Sequence, residues 1–203
     1  MNTYISAVLW LAAGYLFGSL PTGYVVVKTM TGQDIRTVGS GNIGATNVGR
    51  VLGKKWAVIV TIVDMLKGGA AVMLCRTLGG GDLSVAAAAL GAVLGHNYPV
   101  WLRFHGGKGV ATTFGTLFFV QMWYSCAAVL LAGILWFLVM KAFRYVSLAS
   151  LVALLAIGAW FAFFGMHPAF IVLAGVLAVL SLWRHRSNVD RLIHGTENKV
   201  GRK

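Results

Sequence analysis

Charge is what this chain has least of. Of its 203 residues, 11% are Asp, Glu, Lys or Arg, where a soluble domain carries about 25%. Acidic residues are the scarcest, five against 17 lysines and arginines. There are two cysteines, Cys75 and Cys126, and both lie in apolar stretches. That pair forms neither a disulfide framework nor a metal site. No internal repeat, low-complexity tract or linker breaks the chain, and no polar block is long enough to fold alone. Residues 1–203 therefore read as one membrane domain. The N-terminus lacks the basic region of a cleaved signal, so the first apolar run reads as a retained span.

What the chain has is apolar length. Hydrophobic residues make up 58%, and the mean hydropathy is +0.79. Apolar runs bounded by basic loops mark an all-α, polytopic membrane protein. The runs are Tyr4 to Val27, Trp56 to Cys75, Leu83 to Leu102, Val110 to Met140, Ser147 to Gly165 and Pro168 to Trp183. The fourth would be roughly 46 Å long as one helix, beyond a hydrocarbon core of about 30 Å. A break near Gln121 to Ser125 would make it two short passes.

The net charge of +12 does not point to nucleic acid, because the cations flank apolar runs. They fall in four regions: Lys28 to Lys55, Arg103 with Lys108, Lys141 with Arg144, and the tail from Arg184 to Lys203. Only Lys67 and Arg76 lie elsewhere. Seven crossings, with the N-terminus outside and the C-terminus cytoplasmic, put all four regions inside, as the positive-inside rule requires. Five crossings, with Ser147 to Trp183 merged into one, is the runner-up. Six would place the basic tail outside and is set aside. Within the second run, Asp64 and Lys67 share a helix face at i,i+3 and can pair. Buried charge in a membrane is costly and points inward, so Lys67 is either half of a neutralised pair or part of a site.

Polar residues gather in three clusters. The first, Arg36 to Arg50, contains four glycines together with Ser40, Asn42, Thr46 and Asn47. Glycine lets backbone N–H groups turn toward an anion. Ser40, Thr46 and Asn47 can donate hydrogen bonds, and Arg50 can grip a phosphate with two of them. A flexible polar loop is the simpler alternative. The second cluster, His105-Gly-Gly-Lys-Gly-Val-Ala-Thr112, opens an apolar helix. Gly106, Gly107 and Gly109 free the backbone, Lys108 adds a charge, and the helix start adds unpaired N–H groups. The spacing is not that of a nucleotide-binding P-loop, since Lys108 is followed by Gly109. His96, just upstream, reads as a structural hydrogen bonder before it reads as a base. The third cluster runs from Arg184 through His185 and Asn188 to Glu197. A basic patch for anionic lipid explains its arginines but not His185, Asn188 or Glu197. His185 to Asp190 also spells H-x-x-x-x-D, a short pattern that occurs by chance. Cations, hydroxyls and amides with few carboxylates suit an anionic substrate at the membrane face. A transporter or a non-catalytic phosphate-binding scaffold would use similar groups, although a transporter would place them at mid-membrane depth.

The ordered motifs go further. Gly18-Ser-Leu-Pro21, Gly39-Ser-Gly-Asn-Ile-Gly-Ala-Thr-Asn47, Asp64-Met-Leu-Lys-Gly68, Gly95-His-Asn-Tyr-Pro99, Gly106-Gly-Lys-Gly-Val-Ala-Thr112, Arg144-Tyr-Val-Ser-Leu-Ala-Ser150 and Arg184-His-Arg-Ser-Asn188 with Glu197 resemble the PlsY family of bacterial acyl-phosphate:glycerol-3-phosphate acyltransferases. The likeness covers nearly the whole chain. It implies acyl transfer from a long-chain acyl-phosphate to the 1-hydroxyl of sn-glycerol 3-phosphate, giving lysophosphatidic acid for phospholipid synthesis. It also implies a seven-helix protein of the bacterial inner membrane, with its site at the cytoplasmic face. Neither cofactor nor metal is expected, nor any obligatory protein partner; the partners are the two substrates and membrane lipid. The resemblance assigns catalytic roles to Ser40, Arg50, Lys108, His185 and Asn188. It assigns substrate contacts to Asn42, Thr46, Asn47, Lys67, Gly106, Gly107, Gly109, Ser147 and Glu197. For Glu197, bracing the tail by pairing with an arginine is the favoured reading over a direct role in the site. The acceptor's proton would go to His185 or to a substrate phosphate oxygen.

Overall fold

The computed structural model describes residues 2–201. The last two cations of the tail, Arg202 and Lys203, lie outside the described residues. Among the described residues the regular structure is entirely helical, so the all-α expectation holds. The chain divides into two compact units, Met1–Val120 and Gln121–Lys203, where the sequence reads as a single membrane domain.

The first unit holds α1 (Thr3–Gly18), α2 (Thr22–Thr31), α3 (Ala45–Leu52), α4 (Lys54–Thr77), α5 (Asp82–Asn97) and α6 (Val110–Phe118). Pro21, which has no N–H to donate, separates α1 from α2. Helices pack closely here because small residues face backbone. Gly14 and Gly18 of α1 lie against the Ala88 and Ala92 carbonyls of α5, and Gly91 and Gly95 of α5 lie against Leu11 and Tyr15 of α1. In the same way Gly115 of α6 meets the Met65 carbonyl of α4. In lipid, where apolar side chains gain little by leaving apolar solvent, such close backbone approach is what holds helices together. A smaller core of Val27, Ile35, Ile43, Val48, Val60 and Leu102 lies beneath the first polar loop and fixes it to the bundle.

The second unit holds α7 (Met122–Phe143), α8 (Val146–Phe163), α9 (Pro168–Arg184) and α10 (Arg186–Ile193). Its core includes Ile157, Phe161, Phe170 and Leu177, all buried. The outward residues are as apolar as the inward ones: Leu130, Leu155 and Val179 are exposed, as a lipid-facing surface requires.

Five segments are long and apolar enough to cross a membrane: Thr3–Thr31, Lys54–Thr77, Asp82–Leu102, Met122–Phe143 and Val146–Phe163. A sixth is the pair α9 and α10, bent by 64°. The long fourth run is indeed broken, at Phe119–Gln121, but its first piece, α6, has nine residues and covers only about 14 Å. The merged crossing of the five-span alternative is not observed. The chain turns between Phe163 and Pro168, and α8 packs beside α9.

A Cβ on Gly115 would overlap the Met65 carbonyl, which is backbone and cannot move aside, whereas one on Gly175 of α9 meets nothing within 4 Å. Gly115→Val is therefore expected to lower the thermal unfolding midpoint in detergent by several degrees, a cost of about 1–3 kcal/mol. Gly175→Ala should leave it unchanged or slightly raised.

Candidate active site

The first cluster is a loop folded around one amide. Asn47 of α3 is buried. Its Oδ1 accepts from the Ser40 N–H at 2.9 Å. Its Nδ2 donates to the carbonyls of Val38 at 2.9 Å and Ile35 at 3.3 Å. Asn47, expected from the sequence as a substrate contact, is here the clasp that shapes the loop. Gly39 is required beside it, since it holds φ +60° and a Cβ would strike Asn47 Oδ1. Asn42 makes a local turn, its Oδ1 accepting from Gly44 N–H at 2.9 Å. Turned the other way are Ser40 and, one turn apart on α3, Thr46 and Arg50, all exposed. Arg36 is committed elsewhere: it pairs with Asp34 at 2.6 Å and lies 5.4 Å from the centre of the Tyr24 ring. The Arg36 guanidinium beside Asp34 holds that carboxyl below its usual value, outweighing the opposing effect of burial.

The second cluster stands on buried charge. Side chains of Asp64 and Lys67 are 3% and 5% exposed, and they pair at 2.7 Å as the i,i+3 spacing predicts. Lys67 Nζ also donates to the Leu20 carbonyl at 2.7 Å, at the break between α1 and α2. It lies 3.1 Å from His96 Nδ1. The same ring nitrogen lies 3.6 Å from Asp64 Oδ1, so Asp64, Lys67 and His96 form one buried polar group. Lys67 therefore has three partners inside the protein, with the pairing that the sequence offered as one of its two readings. His96 carries the glycine loop: its carbonyl accepts from Gly107 N–H at 3.0 Å, and a Cβ on Gly107 would overlap its ring. Gly106 and Gly107 are buried and Lys108 is half-buried. Gly109, at φ +75°, opens α6, and no side chain caps that helix. The loop thus presents Lys108 with a helix N-terminus directly behind it, an arrangement that favours an anion.

The third cluster is in the second unit. His185 is the hinge residue between α9 and α10, 3% exposed. Its Nδ1 lies 2.9 Å from the Ser181 carbonyl, which can only accept. The neutral ring therefore has its proton on Nδ1 and a basic Nε2. Glu197 receives three hydrogen bonds, from Ser147 Oγ at 2.8 Å, Asn188 Nδ2 at 2.6 Å and Arg191 Nε at 2.7 Å. The pairing with an arginine that the sequence favours for Glu197 is present: Glu197 ties α8, α10 and the tail together and orients Ser147 and Asn188. The strap continues as Val200 N–H donates to the Arg144 carbonyl at 2.8 Å and Lys199 lies over Tyr145.

These features define an all-helical integral membrane protein with anion-binding groups set in glycine-shaped loops at helix starts. Comparison with known proteins gives the family. The family model for glycerol-3-phosphate acyltransferase matches residues 8–195. The glycerol-3-phosphate acyltransferase of Desulforamulus reducens is 40% identical over 98% of both chains. That of Rhodopseudomonas palustris strain HaA2 is 45% identical over 100% of this chain and 98% of its own. Two solved structures of PlsY (YgiH), an integral membrane glycerol 3-phosphate acyltransferase, superpose on 97% of this chain and 96% of theirs. The glycerol 3-phosphate form has a TM-score of 0.89 at 38% identity, and the lysophosphatidic acid form 0.87 at 36%. This chain belongs to the PlsY family of glycerol-3-phosphate acyltransferases.

Two residues of the Gly95–Pro99 motif that the sequence does not place in the site matter here. His96 is the structural hydrogen bonder that the sequence suggests, and it carries the loop. Asn97 beside it is buried under that loop.

Burial opposes ionisation of Glu197, but bonds from Asn188, Arg191 and Ser147 and the charge of Arg191 prevail, and its carboxyl titrates below the ordinary value. A folded-state value below the unfolded one stabilises above the unfolded pKa and is lost as pH falls through the folded pKa. The thermal midpoint is expected to fall on acidification below about pH 4.5. Glu197→Gln should lower the neutral-pH midpoint and flatten that acid limb.

Proposed function

We propose that this enzyme transfers a fatty acyl group from acyl-phosphate to the 1-hydroxyl of sn-glycerol 3-phosphate, releasing lysophosphatidic acid and phosphate. The observation that carries the reading is the Gly106–Gly109 loop. Glycines that admit no Cβ, a lysine and an uncapped helix start are what a phosphate needs, and both substrates carry one. The solved relatives with glycerol 3-phosphate and with lysophosphatidic acid fix the acceptor and product classes.

In the reaction the acceptor oxygen attacks the acyl carbonyl carbon, a tetrahedral oxyanion forms, and the bond to the phosphate oxygen breaks. Phosphate is a good leaving group, so the protein's work is to bring two anions together, activate the hydroxyl and stabilise the oxyanion. Lys108, the loop backbone and Arg50 hold phosphate. Ser40 and Thr46, exposed beside Arg50, donate to substrate oxygen or to the developing charge. His185 and Asn188 serve the acceptor glycerol, with Ser147 held in place by Glu197. The hydroxyl proton passes to Nε2 of His185 or to a substrate phosphate oxygen. The Ser181 carbonyl, which fixes the ring tautomer, supports the first route. No cofactor is needed, since bond making and breaking involve no change of oxidation state. The charge pattern supports seven crossings with the N-terminus outside and the loops on the cytoplasmic side of the bacterial inner membrane.

Purified protein supplied with palmitoyl-phosphate and glycerol 3-phosphate should release phosphate and lysophosphatidic acid, with palmitoyl-CoA inert as donor. Lys108→Ala should lose at least about a hundredfold in turnover. Product from palmitoyl-CoA alone would overturn the donor assignment. His185→Ala should abolish turnover together with the basic limb of the pH profile. Residual turnover on an unchanged profile would assign the proton to substrate phosphate.

A further inference from the structure

Asn97 ends α5 and lies beneath the glycine–lysine loop. It is 0% exposed. Its backbone carbonyl oxygen would come within 2.7 Å of a Cβ placed on Gly106, and its Oδ1 within 2.6 Å of one placed on Gly109. The residue therefore supports both ends of the loop, and its carboxamide points at the residue that opens α6. Around that same position the next neighbour is an apolar carbon, Val93 Cγ1. Neither Oδ1 nor Nδ2 of Asn97 has a hydrogen-bond partner among the described residues.

A buried amide that bonds to nothing is costly, and an apolar side chain of the same shape would remove the cost. The amide thus calls for a partner that the loop, as it stands, does not present. Peptide geometry says where one arises. The peptide unit is planar, with its N–H and C=O on opposite sides. A loop that turns N–H groups outward onto an anion turns carbonyls inward. An inward carbonyl above Asn97 would be buried and would need a donor. Asn97 Nδ2 has two hydrogens to give.

We propose that Asn97 is a positioning residue for the phosphate site: its carboxamide holds the inward carbonyls of the Gly106–Gly109 loop in the anion-bound arrangement. It acts through the loop backbone and does not touch the substrate. This rests on the reading of the loop as a phosphate site.

The test uses the full chain in detergent. The thermal midpoint is measured with and without inorganic phosphate for the wild type, Asn97→Leu, Asn97→Asp and Asn97→Thr, and KM and kcat for glycerol 3-phosphate are measured in parallel. Phosphate should raise the wild-type midpoint. Asn97→Leu should match or exceed the wild type without phosphate, lose the phosphate-induced rise, and show a KM roughly tenfold higher with a much smaller change in kcat. Asn97→Asp keeps the outline but has no donor when ionised and should lose the same rise, so it carries the test if the leucine variant does not fold. Asn97→Thr keeps a donor and should retain part of the rise. Wild-type phosphate protection and KM in a folded leucine or aspartate variant would overturn the proposal. So would a wild type that phosphate does not protect. A wild type that turns over no acyl donor would instead overturn the functional reading, and the phosphate arm would still judge Asn97.

Discussion

A lysine buried among the helices, in a segment long and apolar enough to cross a membrane, is the constraint to which the first unit answers. Lys67 is surrounded by the Asp64 carboxylate, the Leu20 carbonyl and the His96 ring. Each comes from a different structural circumstance. Asp64 shares its helix. Leu20 offers a carbonyl because the chain breaks at Pro21. His96 approaches from the end of α5 because glycines let α1 and α5 pack closely. A buried charge is strongly destabilising when it loses a partner, so these three elements are locked to one another. The loop that follows α5 inherits that rigidity, because Gly107 bonds to His96 and packs on its ring.

The second unit solves the same problem with a carboxylate. Glu197 gathers Ser147, Asn188 and Arg191, and the tail strap runs on to Arg144. The two arrangements differ in exposure, and so in what can reach them. The Lys67 group is closed off within helices. The Glu197 group lies in the tail and partly faces water, so it answers to pH. In each, side chains that look available for substrate in the sequence are occupied in holding other side chains in place. The groups left facing outward on the first loop, Ser40, Thr46 and Arg50, are correspondingly few.

Much of this was legible in the chain. Hydropathy located the helices, the i,i+3 spacing located the Asp64–Lys67 pair, and glycine density located both loops, because an approach that admits no Cβ can be met only by glycine. What the sequence could not show is which way a polar side chain points. Asn47 has the chemistry of a ligand and sits in a ligand-rich stretch, yet turns inward, whereas for Lys67 and Glu197 the sequence offered the pairing as well as the contact. Nothing in a one-dimensional pattern distinguishes a clasp from a contact. The extent of α6 was hidden for a similar reason. An apolar run continues across Phe119–Gln121, and the helix stops in backbone geometry that composition does not mark. Asn97 stands in the Gly95–Pro99 motif, but its part was hidden because an amide at a helix end is ordinary until its burial and lack of partners are known.

The central claim is that the buried ion pair exists to seat His96 and, through it, the phosphate loop, and not merely to neutralise itself. The paired replacement Asp64→Leu with Lys67→Met separates these roles, because removing both charges together leaves no orphan and is often tolerated by a fold. The measurement is kcat/KM for glycerol 3-phosphate in the double variant, alongside its thermal midpoint. The expected result is a folded protein whose kcat/KM has dropped by about tenfold or more, His96 having lost both charged neighbours of its ring nitrogen. A folded double variant with wild-type kcat/KM would contradict it.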